Sequence, residues 1–184
     1  MTRVLVPLAQ GCEELEAVTV IDLLRRAGIE VVTAGLDAGP VTASRGTVLL
    51  PDTTLEAVAG DAFDMVVLPG GLPGATNLDA DARLHELLAR QAEADRWCAA
   101  ICAAPLVLAH AGLLEGRTAT SFPGALDPAK HPGVRLSEAA VVTDGRVVTS
   151  RGPGTAMDFA LHLIELLAGQ AEREAVESKL MRPH

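Results

Sequence analysis

One cysteine of this 184-residue chain lies where a nucleophile is expected. Cys102 directly follows the apolar run WCAAI at 97–101, which indicates a buried strand, and Ala103, Ala104 and Pro105 after it open a helix. Nucleophiles of other α/β enzymes sit at such strand-to-helix turns. The N–H groups and dipole of a helix N-terminus favour a thiolate over a thiol. Cys102 is therefore a candidate nucleophile, although a buried, inert cysteine would fit the same position.

An acidic cluster follows the first strand-like run and opens a helix. Glutamates occupy positions 13, 14 and 16, and carboxylates in a first helical turn interact favourably with the helix dipole. We predict that capping role for Glu13 and Glu14. Glu16 lies one residue past Leu15 and fits equally well as an acid–base group that faces a cleft at the strand ends.

A glycine pair and two arginines are further candidates. Gly70 and Gly71 follow the apolar run 64–68; their backbone N–H groups can bind a developing oxyanion, and glycine also suits a tight turn. Arg45 and Arg151 either attract an anionic substrate or oxidised cysteine, or form ordinary ion pairs. The loop that begins at Arg151 lacks the Walker A lysine, so we predict no nucleotide site.

The remaining cysteines and the histidines predict neither a metal nor a cofactor. Cys98 and Cys102 are four residues apart, which is not the C-x-x-C spacing of redox or zinc motifs. None of the five histidines is placed to complete an evident Cys-His-Asp triad. An odd number of cysteines argues against a disulfide framework and for a reducing compartment.

Composition narrows the class of protein. Hydrophobic residues make up 49% of the chain and aromatic residues 2%, so that Val, Leu, Ile and Ala must fill the core, as in parallel sheets covered by helices. The net charge is -9 without a basic stripe, which argues against nucleic-acid binding. We find no signal-peptide pattern and no apolar run long enough to span a bilayer. These features predict a cytoplasmic protein.

Strand-like and helix-like patterns alternate along the chain. The alternation predicts one α/β domain over 1–184, with a mainly parallel sheet and helices on both faces. Such sheets bind ligands at the carboxyl ends of their strands, where Cys102, Glu16 and the Gly70-Gly71 pair would meet. Predicted strands are 3–8, 29–34, 64–68, 97–101, 118–120 and hairpins at 40–50 and 139–149; predicted helices are 14–27, 80–94, 103–113, 155–167 and 170–180, with a loop at 121–134.

Six motifs in order resemble the ThiJ/PfpI superfamily, in its branch with YajL and the Parkinson-disease protein DJ-one. They are GCEELEAV, LLRRAGIEV, SRGTVLLPD, VVLPGG, AAICAAP and TSRGPGTAMDFAL, which begin at positions 11, 23, 44, 66, 99 and 149. The resemblance implies a flavodoxin-like (Rossmann-like) three-layer sandwich, usually a homodimer.

The resemblance also implies roles for individual residues. Cys102 matches the family's oxidation-sensitive nucleophile, and Glu16 matches a buried, protonated glutamate that hydrogen-bonds this cysteine. Gly71 and Ala103 match positions whose backbone amides face the sulfur or an oxyanion. Arg45 matches an arginine that supports the site from the dimer interface or nearby.

Three positions depart from relatives in the superfamily. Phe122-Pro123 stands where DJ-one has His-Pro. YajL-like members also have Phe-Pro at this place. Ala103 replaces the histidine of the protease-like branch, which argues against peptidase activity. Leu50 replaces a DJ-one cysteine, so that any redox role of that position is absent.

The resemblance and the candidate residues together favour a cofactor-free enzyme. Its substrates would be reactive dicarbonyls such as glyoxal and methylglyoxal, in a glyoxalase III-like reaction, or their early glycation adducts, in a deglycase-like one. The alternative is a redox sensor or redox-regulated chaperone that acts through oxidation of Cys102. We find no phosphate-binding signature specific enough to support a third possibility, a role in thiamine metabolism.

Overall fold

The computed structural model describes residues 1–183. Its helices and strands alternate along the chain, with a short 3-10 turn at Pro153–Thr155. The strands are β1 (Arg3–Leu8), β2 (Glu30–Gly35), β3 (Val41–Thr42), β4 (Val48–Leu49), β5 (Thr53–Thr54), β6 (Met65–Leu68), β7 (Trp97–Ile101), β8 (Thr118–Ala119), β9 (Arg135–Leu136), β10 (Val141–Asp144) and β11 (Val147–Ser150). The helices are α1 (Glu14–Arg26), α2 (Leu55–Val58), α3 (Leu72–Asp79), α4 (Ala82–Glu93), α5 (Pro105–His110), α6 (Ala156–Ala168) and α7 (Gln170–Glu177).

A seven-stranded sheet in the order β10-β11-β7-β6-β1-β2-β5 forms the centre of the fold. Every pair in it is parallel except the β10–β11 hairpin. Its central strands are apolar and buried, as expected when both faces of a sheet are covered. The predicted class, a flavodoxin-like sandwich with a mainly parallel sheet, is confirmed.

Successive residues of the central strands point into two separate cores. Val4 and Val6 of β1 belong to the core under α1 and α6, whereas Leu5 between them belongs to the core under α4 and α5. The same alternation separates Val67 from Val66 in β6. This period of two residues produces the three layers, with helices on both faces of the sheet. No helix formed by residues 1–183 is long and apolar enough to cross a membrane.

The buried face of α1 differs from the one that the sequence predicts. The spacing of three residues between Leu15, Val18, Ile21 and Leu24 predicts that these side chains share one helix face. The structure buries Glu16, Ala17, Val20, Leu23 and Leu24 instead, while Leu15 and Val18 are exposed. Apolar residues occupy two sides of this helix, and their spacing alone does not tell which side packs against α6.

Glycine is common just after the end of a helix, so Gly28 in the sequence predicts the end of α1. The φ of Gly28 is 69°, which is left-handed and confirms this prediction.

Several predicted boundaries were also wrong. No element was predicted at residues 72–79, where the chain forms α3, and the short elements β5, α2 and β9 were also missed. Helix α4 begins later than predicted because the Asp81 carboxylate accepts a hydrogen bond from the Arg83 N–H at 3.0 Å and caps the helix. Helix α5 is shorter than 103–113, since left-handed Gly112 follows its last turn.

Candidate active site

Cys102 lies immediately beyond β7, at the carboxyl edge of the sheet. Its φ of 65° is left-handed, which is uncommon and strained for a residue with a Cβ. Two backbone hydrogen bonds hold this conformation: the Cys102 N–H donates to the Ser150 carbonyl at 3.0 Å, and the Cys102 carbonyl accepts from the Phe122 N–H at 2.8 Å. The neighbouring strand β11 and the loop after β8 therefore fix the turn that presents the sulfur.

Glu16 lies in the first turn of α1, and its side chain is fully buried, with 0% exposure. One carboxyl oxygen, Oε2, accepts a hydrogen bond from the Gly70 N–H at 2.8 Å. The other, Oε1, has no hydrogen-bond partner among residues 1–183. A buried ionised carboxylate with an unpaired oxygen would be costly, so this environment favours the protonated acid, whose O–H can donate.

Gly70 brings Glu16 and Cys102 together because it has no side chain. A Cβ at Gly70 would lie 2.5 Å from both the Cys102 Cβ and the Glu16 Oε2. Gly71 is a glycine for two reasons: its φ is 84°, and a Cβ there would lie 2.5 Å from the Gly11 carbonyl oxygen. The glycine pair therefore places the acid and the thiol on either side of one backbone segment.

The two side chains perturb each other's ionisation. Burial raises the pKa of Glu16 to about 7, although the hydrogen bonds with the Gly70 N–H and the Cys102 side chain act in the opposite direction. Burial also raises the pKa of Cys102 to about 12, and the negative charge of an ionised Glu16 adds to this rise. The polar backbone N–H groups of Gly71 and Ala103 act in the opposite direction and lower the pKa of Cys102, but they do not outweigh burial.

The expectation that the turn by itself favours a thiolate was therefore wrong. Helix α5 starts three residues after Cys102, at Pro105, and has only six residues. Burial is the larger cause, and the charge of an ionised Glu16 adds to it. Groups coupled this closely titrate as a pair. Because the pKa of Glu16 is about 7 and that of Cys102 is about 12, loss of the first proton from this pair leaves the negative charge on Glu16.

Cys102 is 8% exposed and opens into a cavity of about 550 Å³. The polar part of its wall consists of Glu13, Ser44 and Arg45. The Ser44 hydroxyl donates to the Glu13 carboxylate at 2.9 Å, whereas the Arg45 side chain forms no hydrogen bond or ion pair with any residue in 1–183. The rest of the wall is mostly apolar and comprises Gly71, Leu72, Pro73, Ala103, Phe122, Pro123, Gly124, Ala125 and Pro153.

The hairpin β3–β4 carries Ser44 and Arg45, and α1 holds it in place. Burial would raise the pKa of Glu14, but its own backbone N–H and those of Arg45 and Thr47, with the Ser44 hydroxyl, lower it to about 2. The carboxylate accepts the Arg45 N–H at 3.0 Å. Glu13, the N-cap residue of α1, forms no side-chain capping hydrogen bond with this helix. The carboxylates of Glu13 and Glu14 accept hydrogen bonds from the hairpin beside the cavity, a role that the helix-dipole argument did not predict.

A profile of the DJ-1/PfpI family matches residues 2–166, which is most of the chain. The chain belongs to the DJ-1/PfpI family. This result agrees with the superfamily resemblance of the six sequence motifs and with the fold.

Individual members of the DJ-1/PfpI family are similar over nearly the whole chain. Protein dj-1beta of Drosophila melanogaster is 45% identical over 178 residues, which cover 96% of this chain and 95% of that protein. A Caenorhabditis elegans protein named glutathione-independent glyoxalase DJR-1.2 is 36% identical over 160 residues, 87% of this chain and 85% of its own. The solved structure of oxidised Toxoplasma gondii DJ-1 has a TM-score of 0.93 at 38% identity, with all of both chains covered.

The structure brings most of the predicted site residues of this DJ-1/PfpI protein together, but not all. Cys102, Gly71, Ala103, Arg45 and Phe122 line the cavity, while Glu16 and Gly70 lie behind the sulfur. Arg151 is outside the cavity wall, and its guanidinium donates to the Glu138 carbonyl at 3.3 Å. The interpretation of Arg151 as a surface contact is thus the one that its geometry favours.

Histidines are absent from the cavity wall over the part of the chain that the structure describes. His85 and His110 both contact the Asp79 carboxylate, at 3.2 and 2.7 Å, and His184 lies outside the described residues. No three His, Cys, Asp or Glu side chains within 1–183 are grouped to hold a metal ion.

Two residues of the cavity wall, Leu72 and Ser44, were not predicted from the sequence. The position of Leu72 directly after Gly71 was the available signal for Leu72.

Proposed function

We propose that the protein is a cofactor-independent enzyme that converts reactive 2-oxoaldehydes, such as methylglyoxal, into 2-hydroxy acids, and that it acts similarly on their early adducts with amines and thiols. The observation that carries the proposal is the pairing of a nearly buried thiol that lines a cavity with a fully buried carboxyl group, one oxygen of which has no hydrogen-bond partner within 1–183. This pair provides a nucleophile and a proton carrier without a metal or a histidine.

The first step is addition of Cys102 to the aldehyde. The Glu16 carboxylate takes the proton of the Cys102 thiol as the sulfur forms a bond to the aldehyde carbon, and the C=O electron pair moves to oxygen. Gly71 and Ala103 line the cavity with Cys102, and their backbone N–H groups would stabilise the resulting oxyanion. Glu16 then gives its proton to that oxygen, so that the product is a neutral hemithioacetal beside a Glu16 carboxylate.

The second step is a proton transfer between adjacent carbons. The Glu16 carboxylate removes the proton from the former aldehyde carbon and returns it to the neighbouring carbonyl carbon, while the hydroxyl proton of the hemithioacetal passes to the oxygen of that carbonyl, which gives a thioester of a 2-hydroxy acid. Water then hydrolyses the thioester, releases the hydroxy acid and restores the thiol. The net reaction adds one water to methylglyoxal and yields lactate, with no oxidant or reductant consumed.

Family membership and one named relative support this chemistry. The Caenorhabditis elegans relative is named as a glyoxalase that does not need glutathione, and it is 36% identical over 87% of this chain. A reaction without glutathione requires another thiol to add to the aldehyde. Cys102 is the thiol that lines the cavity, whereas Cys98 lies under α4 and α5 in the other core.

Oxidation of the same cysteine supports a second candidate function. Peroxide would convert Cys102 to a sulfinic acid, and the Gly71 and Ala103 N–H groups with protonated Glu16 could hold its oxygens. The similar Toxoplasma gondii protein was solved in an oxidised form. A redox sensor, or a chaperone regulated by oxidation, would gain two oxygens on Cys102 at low peroxide and would turn over methylglyoxal slowly or not at all.

Trapping of intermediates separates these candidates. We expect Glu16→Gln to accumulate an adduct of one methylglyoxal on Cys102, because water can replace Glu16 as the proton carrier of the addition, whereas the transfer of a proton between two carbons in the second step requires the Glu16 carboxylate. Intact mass spectrometry after rapid quenching would detect it, with Cys102→Ser as the adduct-free control and Cys98→Ala as the matched thiol control. Wild-type protein that neither forms the adduct nor consumes methylglyoxal would refute the enzyme proposal.

We further propose a homodimer formed through an apolar surface on α1 and the β3–β4 hairpin. Val18, Ile21, Leu49 and Leu50 line one surface depression of about 300 Å³, and Val18 and Leu50 are largely exposed. Exposed apolar patches of this kind mark association surfaces. Because the same hairpin carries Arg45, dimer formation would also fix one wall of the cavity.

We also propose that this enzyme acts in the cytoplasm.

A further inference from the structure

The cavity above Cys102 is larger than a three-carbon dicarbonyl requires. Its volume is about 550 Å³, within the roughly 300–1,000 Å³ range that holds drug-sized ligands. Methylglyoxal bonded to Cys102 would leave most of this space filled with water. The wall chemistry therefore indicates what else the substrate carries.

Two large apolar side chains in this wall are exposed to solvent. Leu72 is 71% exposed and Phe122 is 50% exposed, and both line the Cys102 cavity. The other large hydrophobic residues that are exposed within 1–183, such as Leu136, lie outside this cavity. An exposed apolar pair beside a reactive group gains free energy when a ligand covers it.

The backbone connects both side chains directly to the reacting atoms. Leu72 follows Gly71, which lines the cavity together with Cys102. The Phe122 N–H donates to the Cys102 carbonyl at 2.8 Å. Pro73 and Pro123 follow them in the chain and stiffen both segments. The apolar pair is thus held at a set position relative to the sulfur.

From this geometry we infer that the preferred substrates are 2-oxoaldehydes whose ketone carbon bears a bulky apolar group, aryl or branched alkyl, which packs between Leu72 and Phe122. The inference rests on the proposed function, since Cys102 would attack the aldehyde carbon of these substrates and one water would be consumed, as in the reaction of methylglyoxal. Leu72 and Phe122 determine specificity and take no part in the bond changes.

Phenylglyoxal and methylglyoxal test this inference as a pair of substrates. Their intrinsic reactivities differ, so that the informative quantity is the ratio of kcat/KM values and its change on mutation. Burial of a phenyl-sized group predicts a fall in the ratio of phenylglyoxal to methylglyoxal of roughly tenfold or more in Phe122→Ala and in Leu72→Ala. Phe122→Leu should retain most of the ratio, and Leu136→Ala, an exposed residue outside the cavity, should leave it unchanged.

Alkylation of Cys102 provides a test that does not require turnover. Iodoacetanilide carries a phenyl group that iodoacetamide lacks, and intact mass follows the reaction of each with the sulfur. We expect a saturable preference for the anilide in the wild type that falls in Phe122→Ala and Leu72→Ala but not in Leu136→Ala.

The two tests distinguish a failure of the proposed function from a failure of the inference about the apolar group. A preference for the anilide that depends on Phe122 and Leu72, without turnover of any 2-oxoaldehyde, would refute the proposed reaction and leave recognition of the apolar group standing. Turnover of methylglyoxal with the same substrate and alkylation ratios in the wild type, Phe122→Ala and Leu72→Ala would overturn the inference and leave the proposed function standing.

Discussion

Replacement of Glu16 by glutamine should change how the stability of the protein depends on pH. Burial raises the pKa of Glu16 from its ordinary value of 4.5 to about 7. A group whose folded pKa is raised stabilises the fold while both states are protonated, below pH 4.5. That contribution is lost as the pH rises towards the folded value near 7. The Glu16→Gln variant would have no such loss, because an amide does not titrate.

The size of the effect follows from the two pKa values. At about 1.4 kcal/mol per pKa unit, complete ionisation of Glu16 costs the wild type about 3 kcal/mol, of which about 2.5 kcal/mol is lost between pH 5 and pH 8. The Gly70 N–H can still donate to the glutamine oxygen, so that the polar contact of Oε2 survives. The stability of Glu16→Gln relative to the wild type should therefore rise by about 2.5 kcal/mol over this range.

Urea unfolding measured by circular dichroism at pH 5, 6, 7 and 8 gives this difference directly. Glu14→Gln is the matched control on the same helix turn. The pKa of Glu14 is lowered to about 2, so that Glu14 is ionised in both folded and unfolded chains over most of this range. Its replacement should destabilise the protein by nearly the same amount at every pH. A pH-independent difference for Glu16→Gln would show that Glu16 ionises normally and would refute the coupled-pair argument.

Four further predictions follow from the site and the apolar surface. The kcat/KM for methylglyoxal should rise with pH through about 7, because the Glu16–Cys102 pair must lose one proton before the sulfur can attack; a flat profile from pH 5 to pH 8 would contradict this. Gly70→Ala should lose activity and cost roughly 1–3 kcal/mol in urea unfolding, since its Cβ would lie 2.5 Å from the Cys102 Cβ; wild-type activity would be the opposing result. Arg151→Ala should leave kcat/KM within about twofold, since Arg151 lies outside the cavity wall; a tenfold loss would place it in the site. Val18→Asp should convert the dimer to a monomer in sedimentation velocity, and a wild type that sediments as a monomer would refute the dimer.

The sequence predicted the sheet well because its signals are local. The apolar runs at β1, β6 and β7 are short and contain few polar residues. They alternate along the chain with segments of helical periodicity, which predicts a parallel sheet covered on both faces. The same topology placed Cys102 and the glycine pair at one sheet edge before any geometry was known.

Features decided by tertiary packing were not predictable in the same way. Helix α3 was missed because Pro73 and Gly74 have the pattern of a loop. Pro73 is tolerated in the first helical turn, and Gly74 is needed because a Cβ there would lie 2.5 Å from the Cys12 Cα. A neighbouring loop, not the local sequence, requires that glycine.

The sequence predicted which residues form the site but not the charge states of their side chains. Spacing left Glu16 equally consistent with a capping role and an acid–base role, and only its complete burial against Gly70 distinguishes them. The expected thiolate at Cys102 neglected two effects that act through space, burial and the charge of Glu16. Both depend on how α1 meets the loop after β6, which a linear pattern does not contain.

Formation of lactate from methylglyoxal tests the central claim most directly. Proton NMR would follow wild-type protein and Cys102→Ser side by side, with no metal, nucleotide, glutathione or other thiol added. The account predicts stoichiometric conversion of methylglyoxal to lactate by the wild type and none above the uncatalysed rate for Cys102→Ser. Lactate formation by Cys102→Ser at the wild-type rate would contradict it.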